Sequence, residues 1–152
     1  MDGTSVVPVK AGGKIIQQAD ILLVQPNEDV AFNWREALLD FGMTKVRVAA
    51  SRAETLEAVS VAAPSCIVMA LPALEEAFAL MEALSRGGGD QIRDVPVLLV
   101  AEQPSRAAEL MATHAGFEAV LTGPVSPRQI YRRAASLIQR ARLSARTQKV
   151  AN

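Results

Sequence analysis

The sequence predicts a single α/β domain built on a doubly wound parallel sheet, and three observations carry that prediction. Apolar runs of strand length alternate with amphipathic segments of helix length five times over. The strand runs are almost unbroken Val, Ile and Leu, as expected of strands covered on both faces. Local capping signals mark where helices begin after the strands. With 152 residues, 50% of them apolar and 21% charged, the chain is long enough to bury a sizeable core.

Residues 1–17, with Gly3, Pro8, Gly12 and Gly13, show no periodicity and are read as a flexible arm. The domain proper is placed at 18–143, and a basic tail at 144–152. The five strands fall at 21–25, 45–49, 66–71, 95–101 and 119–122. The first helix, over 28–41, has an inward stripe of Val30, Trp34, Ala37, Leu38 and Phe41, which sets Phe32 and Leu39 nearly opposite it. Gly42 stands where this helix should end, and Gly116 where the fourth should, because glycine accepts the left-handed backbone of a C-terminal cap. Ser51 with Glu54 forms a capping box for the second helix. The glycine-rich stretch 86–90 reads as a turn between the third helix and the fourth strand. Ser126 with Gln129 forms another capping box, with Pro127 at the first helical position. The last helix turns Ile130, Ala134, Leu137, Ile138 and Ala141 inward. Right-handed crossovers leave few arrangements, and the flavodoxin-like strand order 2-1-3-4-5 is the commonest for five such units.

Composition excludes several classes. No apolar run approaches the roughly 18 residues of a membrane span, and the N-terminus lacks a basic-then-apolar leader, so no membrane insertion is expected and the cytoplasm is the predicted compartment. The lone Cys66 sits in the most apolar stretch and reads as a small buried hydrophobe. His114, the only histidine, has no Cys or acidic residues at ligand spacing, so no metal and no cofactor are predicted. The net charge of zero conceals a split: residues 1–118 sum to −7 and residues 119–152 to +7.

In such a sheet, chemistry belongs to the loops after the carboxyl ends of the strands. The runs ILLVQPN, IVMALP, VPVLLVA and GFEAVLTGPVS, spaced against the strand ends, resemble the receiver domains of two-component response regulators, the CheY-like family, from about residue 20 to 143. That resemblance implies an acidic pair after strand one, a phosphoacceptor Asp after strand three, Thr or Ser after strand four and Lys before a proline after strand five. The corresponding positions hold Gln25 and Pro26, Ala70, Ala101 and Gly123. The aromatic switch position in strand five holds Val120. Mg²⁺ needs anionic oxygens, and a transferred phosphoryl needs a carboxylate acceptor and cationic or N–H stabilisation. Ala, Pro and Gly side chains supply none of these. Glu28 and Asp29 are explained by the helix N-terminus they occupy, and Glu102 reads as a solvated loop acid. No nucleophile stands beside a base, so enzymatic activity is not predicted.

The expectation is therefore a phosphorylation-independent pseudo-receiver, a protein-interaction module of bacterial signalling. The resemblance implies partners such as a histidine kinase, a phosphotransferase or a motor or polarity component, and the chain is read as either monomeric or homodimeric through its fourth and fifth units. Phe32, Arg35 and Leu39 on the first helix are the candidate partner-binding residues. The alternative is a ligand-binding adaptor in which Arg128, Arg132, Arg133 and Arg140 on the last helix hold a cyclic dinucleotide or other polyanion.

Overall fold

The computed structural model of the chain describes residues 18–87, 92–103 and 105–151, with backbone only from 147 onward. The elements are β1 (Asp20–Val24), α1 (Glu28–Asp40), β2 (Lys45–Ala49), α2 (Arg52–Val61), β3 (Cys66–Met69), α3 (Leu74–Gly87), β4 (Val97–Ala101), α4 (Arg106–Ala115), β5 (Ala119–Thr122) and α5 (Pro127–Ala151). All strand pairs are parallel, and the order across the sheet is β2-β1-β3-β4-β5. This is the flavodoxin-like arrangement expected. The 1–17 arm lies outside the described residues, as does the 86–90 turn beyond Gly87.

Alternation along the strands divides the core in two. Ile21, Leu23, Cys66, Val68 and Leu98 face α1 and α5, where Leu38, Ile130, Ala134, Leu137 and Ile138 meet them. Leu22, Val24, Ile67, Met69 and Leu99 face the other way, onto Val59 of α2, Leu80 and Leu84 of α3 and Ala112 of α4. The unbroken apolar runs of the sequence are thus the signature of a sheet with two dry faces.

The local signals fold as read, with one box only half closed. The Ser126 hydroxyl accepts the Gln129 N–H at 3.2 Å and the Gln129 side chain accepts the Ser126 N–H at 2.7 Å, closing a reciprocal box. In the first box Ser51 accepts from Glu54 N–H, but Glu54 returns its bond to Ala50 rather than to Ser51. Gly116, at φ 106°, caps α4 in the left-handed region. No helix breaker follows Pro127, so α5 continues through residue 143 to Ala151; the basic segment 144–151 extends this helix instead of forming a separate tail.

One expectation on α1 is corrected. Ala31 and Leu38 are its deeply buried residues, whereas Val30, Trp34, Ala37 and Phe41 are half-buried. Leu39 does not point outward: it packs partly buried against the α1/α5 side of the core. The small Ala31 lets the helix lie close to the sheet, and Arg35 draws the same flank toward β2 by donating its Nε–H to the Val46 carbonyl at 3.3 Å. The helix is therefore rolled by a fraction of a turn from the stripe that the sequence suggests.

At the opposite end of the sheet from the strand-end loops, Arg47 ties three elements together. Its Nε and Nη2 donate to the two carboxylate oxygens of Asp20 at 3.1 and 2.8 Å, and its Nη1 and Nη2 donate to the carbonyls of Ala58 and Ala62, both at 2.8 Å. The Ala58 carbonyl also accepts the Ala62 N–H at 3.2 Å, whereas the Ala62 carbonyl lies at the C-cap of α2, where no intrahelical donor reaches it.

Candidate functional site

The strand register assembles the five positions singled out above. Val24 lies opposite Met69, which places Gln25 beside Ala70 just past the ends of β1 and β3. Their backbones are fixed by bonds from Gln25 N–H to the Ala49 carbonyl at 3.0 Å and from Ala70 N–H to the Val24 carbonyl at 2.8 Å. Ala101 closes β4 opposite Thr122, and Gly123 N–H donates to its carbonyl at 3.0 Å. Gln25, Pro26, Ala70 and Gly123 line a cavity of about 340 Å³ together with Trp34 and Glu102. Ala101 lies buried beside it, not on its wall.

The chemistry of this cavity is that of a carboxamide among apolar walls. Gln25 is 9% exposed, and its Oε1 accepts the Asn27 N–H at 3.0 Å. Asn27 in turn caps α1, its Oδ1 accepting from Asp29 and Val30 N–H groups at 3.0 and 3.1 Å. Glu28 and Asp29 are exposed in the first turn, where the helix N-terminus favours negative charge. Glu102 is the one acid on the cavity wall. Among the described residues no group of three His, Cys, Asp or Glu gathers as a metal site would require. Gly123 has φ 79°, a backbone that side chains adopt with strain, although nothing lies within 4 Å of where a Cβ would stand. Asn27 and Trp34 are not functional candidates from the sequence: an Asn ahead of two acids is an N-cap signal that marks the first, and the second reads only as core.

Cys66 takes no part in this chemistry. It lies fully buried in β3, and desolvation pushes its thiol up from 9.0 to about 12. We predict that the native thiol is inert to a disulfide reagent at pH 8 and reacts once the chain unfolds. The raised value also has a sign. Between pH 9 and 12 the unfolded chain releases a proton that the folded chain keeps, so this contribution to stability is full below pH 9 and is lost as pH rises toward 12. The urea midpoint should fall more steeply over that window in the wild type than in Cys66→Ala; parallel slopes would refute it.

The candidate surfaces differ in how much of them is free. Phe32 is 61% exposed on α1. Arg35 is held by the Val46 carbonyl and by Glu36, whose Oε2 is 2.8 Å from Nη1. On α5 the four arginines do not converge. Arg128 lies 5.2 Å over the Phe41 ring, itself stacked at a tilt 5.3 Å from Tyr131. Arg132 and Arg133 are exposed, and Arg140, about 18 Å along the axis from Arg128, lines a separate groove that also contains Asp94 and Glu118. On α4, beside β5, Leu110 and Met111 are exposed.

No family model matches the chain, and no curated relative does. Among solved structures, the receiver domain of a Francisella response regulator superposes with a TM-score of 0.71 at 20% identity, covering 81% of this chain and 98% of that one. An orphan response regulator of H. pylori gives 0.68 at 14% identity, covering 80% and 98%. NtrX from Brucella abortus gives 0.76 at 18% identity, covering 87% of this chain, which spans only 29% of that protein. The chain has the fold of response-regulator receiver domains. Among the described residues, no helix is long and apolar enough to cross a membrane.

Proposed function

We propose that the chain is a phosphorylation-independent receiver-like domain that acts in signal transduction by binding other proteins. The observation that supports this most directly is the strand-end cavity, where a receiver fold presents Gln25, Pro26, Ala70 and Gly123 in place of carboxylates and a lysine. A divalent cation finds one acid there, Glu102, and a phosphoryl group finds no acceptor carboxylate on β3. The fold is kept while the groups needed for phosphate chemistry are replaced, which leaves the surface as the working part. Phe32 on α1 is the docking residue, and partners of the kind that use receivers, a histidine kinase, a phosphotransferase or a motor or polarity component, fit this reading. Leu110 and Met111 on α4 supply the apolar surface for a homodimer.

The reading is tested by incubating the protein with acetyl phosphate and Mg²⁺ and weighing it intact. An unchanged mass is expected. A base-labile, acid-resistant gain of one phosphoryl group would overturn it. The adaptor reading has weaker support, because Arg128 is stacked on Phe41 and Arg140 stands in a groove with two carboxylates, so the four arginines form no single anion pocket.

A further inference from the structure

The strand-end cavity holds a feature that a protein-docking role leaves unused. Gln25 is nine-tenths buried, and the Asn27 N–H bound to its Oε1 fixes which way the carboxamide faces. The oxygen serves the loop, and the nitrogen with its two N–H groups is left over. Among the described residues none accepts from it. A buried donor without an acceptor is costly, and the cavity that Gln25 lines is where an acceptor can enter.

The other walls restrict what that acceptor belongs to. Trp34, Pro72, Val100 and Pro124 give rigid apolar surface, and the volume of about 340 Å³ sits at the small end of the range for ligand sites, roughly 300–1,000 Å³. No Lys, Arg or His lines the cavity, and its one charged residue is the acid Glu102, so an anion finds no cationic partner there. A strongly hydrated cation would shed its water against proline and valine for one exposed carboxylate. A neutral, flat molecule meets neither penalty. Water held there by so few polar groups is readily displaced.

We propose that this cavity binds a small uncharged ligand that offers a carbonyl or carboxamide oxygen to Gln25 Nε2 and lays an apolar ring against Trp34 and the prolines. The inference is separate from the interaction reading and stands or falls without it.

Three probes of one shape isolate the chemistry: nicotinamide, nicotinate and 3-methylpyridine. Each is titrated into the ¹⁵N-labelled full chain to tens of millimolar, following the Gln25 side-chain NH₂ and the Trp34 indole N–H by two-dimensional NMR. Nicotinamide should shift both resonances saturably, while the carboxylate and the methyl analogue bind at least about tenfold more weakly for want of a neutral acceptor. Gln25→Met should weaken nicotinamide by about the same factor, and Ala70→Leu, which takes up cavity volume while keeping Gln25, should abolish the shifts. If Gln25→Met does not fold, Ala70→Leu decides. No saturable shift with nicotinamide, equal binding of nicotinate, or shifts that persist in Ala70→Leu would each overturn the proposal.

Discussion

Arg47→Ala should destabilise the domain by about 3 kcal/mol, seen as a lower urea midpoint and a melting temperature reduced by roughly 6–12 °C. Both side chains of the Arg47–Asp20 pair are about four-fifths buried, and the guanidinium on β2 donates to four acceptors, two in β1 and two at the end of α2. Removing it strands a largely desolvated carboxylate at the start of β1 and takes a donor from two carbonyls at the end of α2, of which Ala58 keeps the Ala62 N–H at 3.2 Å. That loss is larger than the net worth of the pair, because the Asp20 carboxylate left behind stays largely buried, whereas the exposed Ala62 carbonyl can turn to water. Arg47→Lys should recover less than half of the stability, since an ammonium cannot span both carboxylate oxygens and both carbonyls. Asp20→Asn should fall between wild type and Arg47→Ala. A loss below 0.5 kcal/mol for Arg47→Ala would show that water replaces the guanidinium freely, and the knot would have no structural weight.

The second large effect separates two residues that the sequence placed on one face. Phe32→Ser should leave stability within about 0.5 kcal/mol of wild type and reduce capture of a protein partner at least tenfold, because Phe32 is a large exposed aromatic on an otherwise polar helix flank. Leu39→Glu should instead cost about 1–3 kcal/mol, since it forces a carboxylate toward the α1/α5 core where Leu39 packs. The pair is read by urea denaturation alongside capture from native lysate on immobilised wild type and variants. Undiminished capture by a folded Phe32→Ser would move the docking surface away from α1. A Leu39→Glu variant as stable as wild type would restore the outward stripe.

What was legible in the sequence was whatever is decided within a few residues. Ser126 and Gln129 needed only each other to mark the start of α5, Gly116 needed only its missing Cβ, and Ile130, Ala134, Leu137 and Ile138 repeated at the spacing of a single helix face. The strand order followed from the cadence and from the handedness of crossovers. The roll of α1 was not legible, because a contact from Arg35 to the Val46 carbonyl, eleven residues away, helps to set it. Arg47 and Asp20 are 27 residues apart on neighbouring strands, and neither carries a local signal of the other. The cavity is made from four loops, so the position of each residue was predictable while the left-over carboxamide donors of Gln25 were not.

The left-handed backbone at Gly123 has a consequence for the mutational routes open to this chain. On the proposed reading, five substitutions separate the strand ends from those of a working receiver. Each is without benefit alone, because the metal needs its carboxylates together and the acceptor needs the metal. At 123 the step is worse than neutral: a lysine on a backbone at φ 79° is strained by about 1–2 kcal/mol even though its side chain would enter open space. A lineage drifting from this sequence therefore goes downhill or level at every first step toward phosphate transfer, with the gain deferred to the last. The chemistry at the strand ends is held in place by the shape of that path, more firmly than any one absent side chain could hold it.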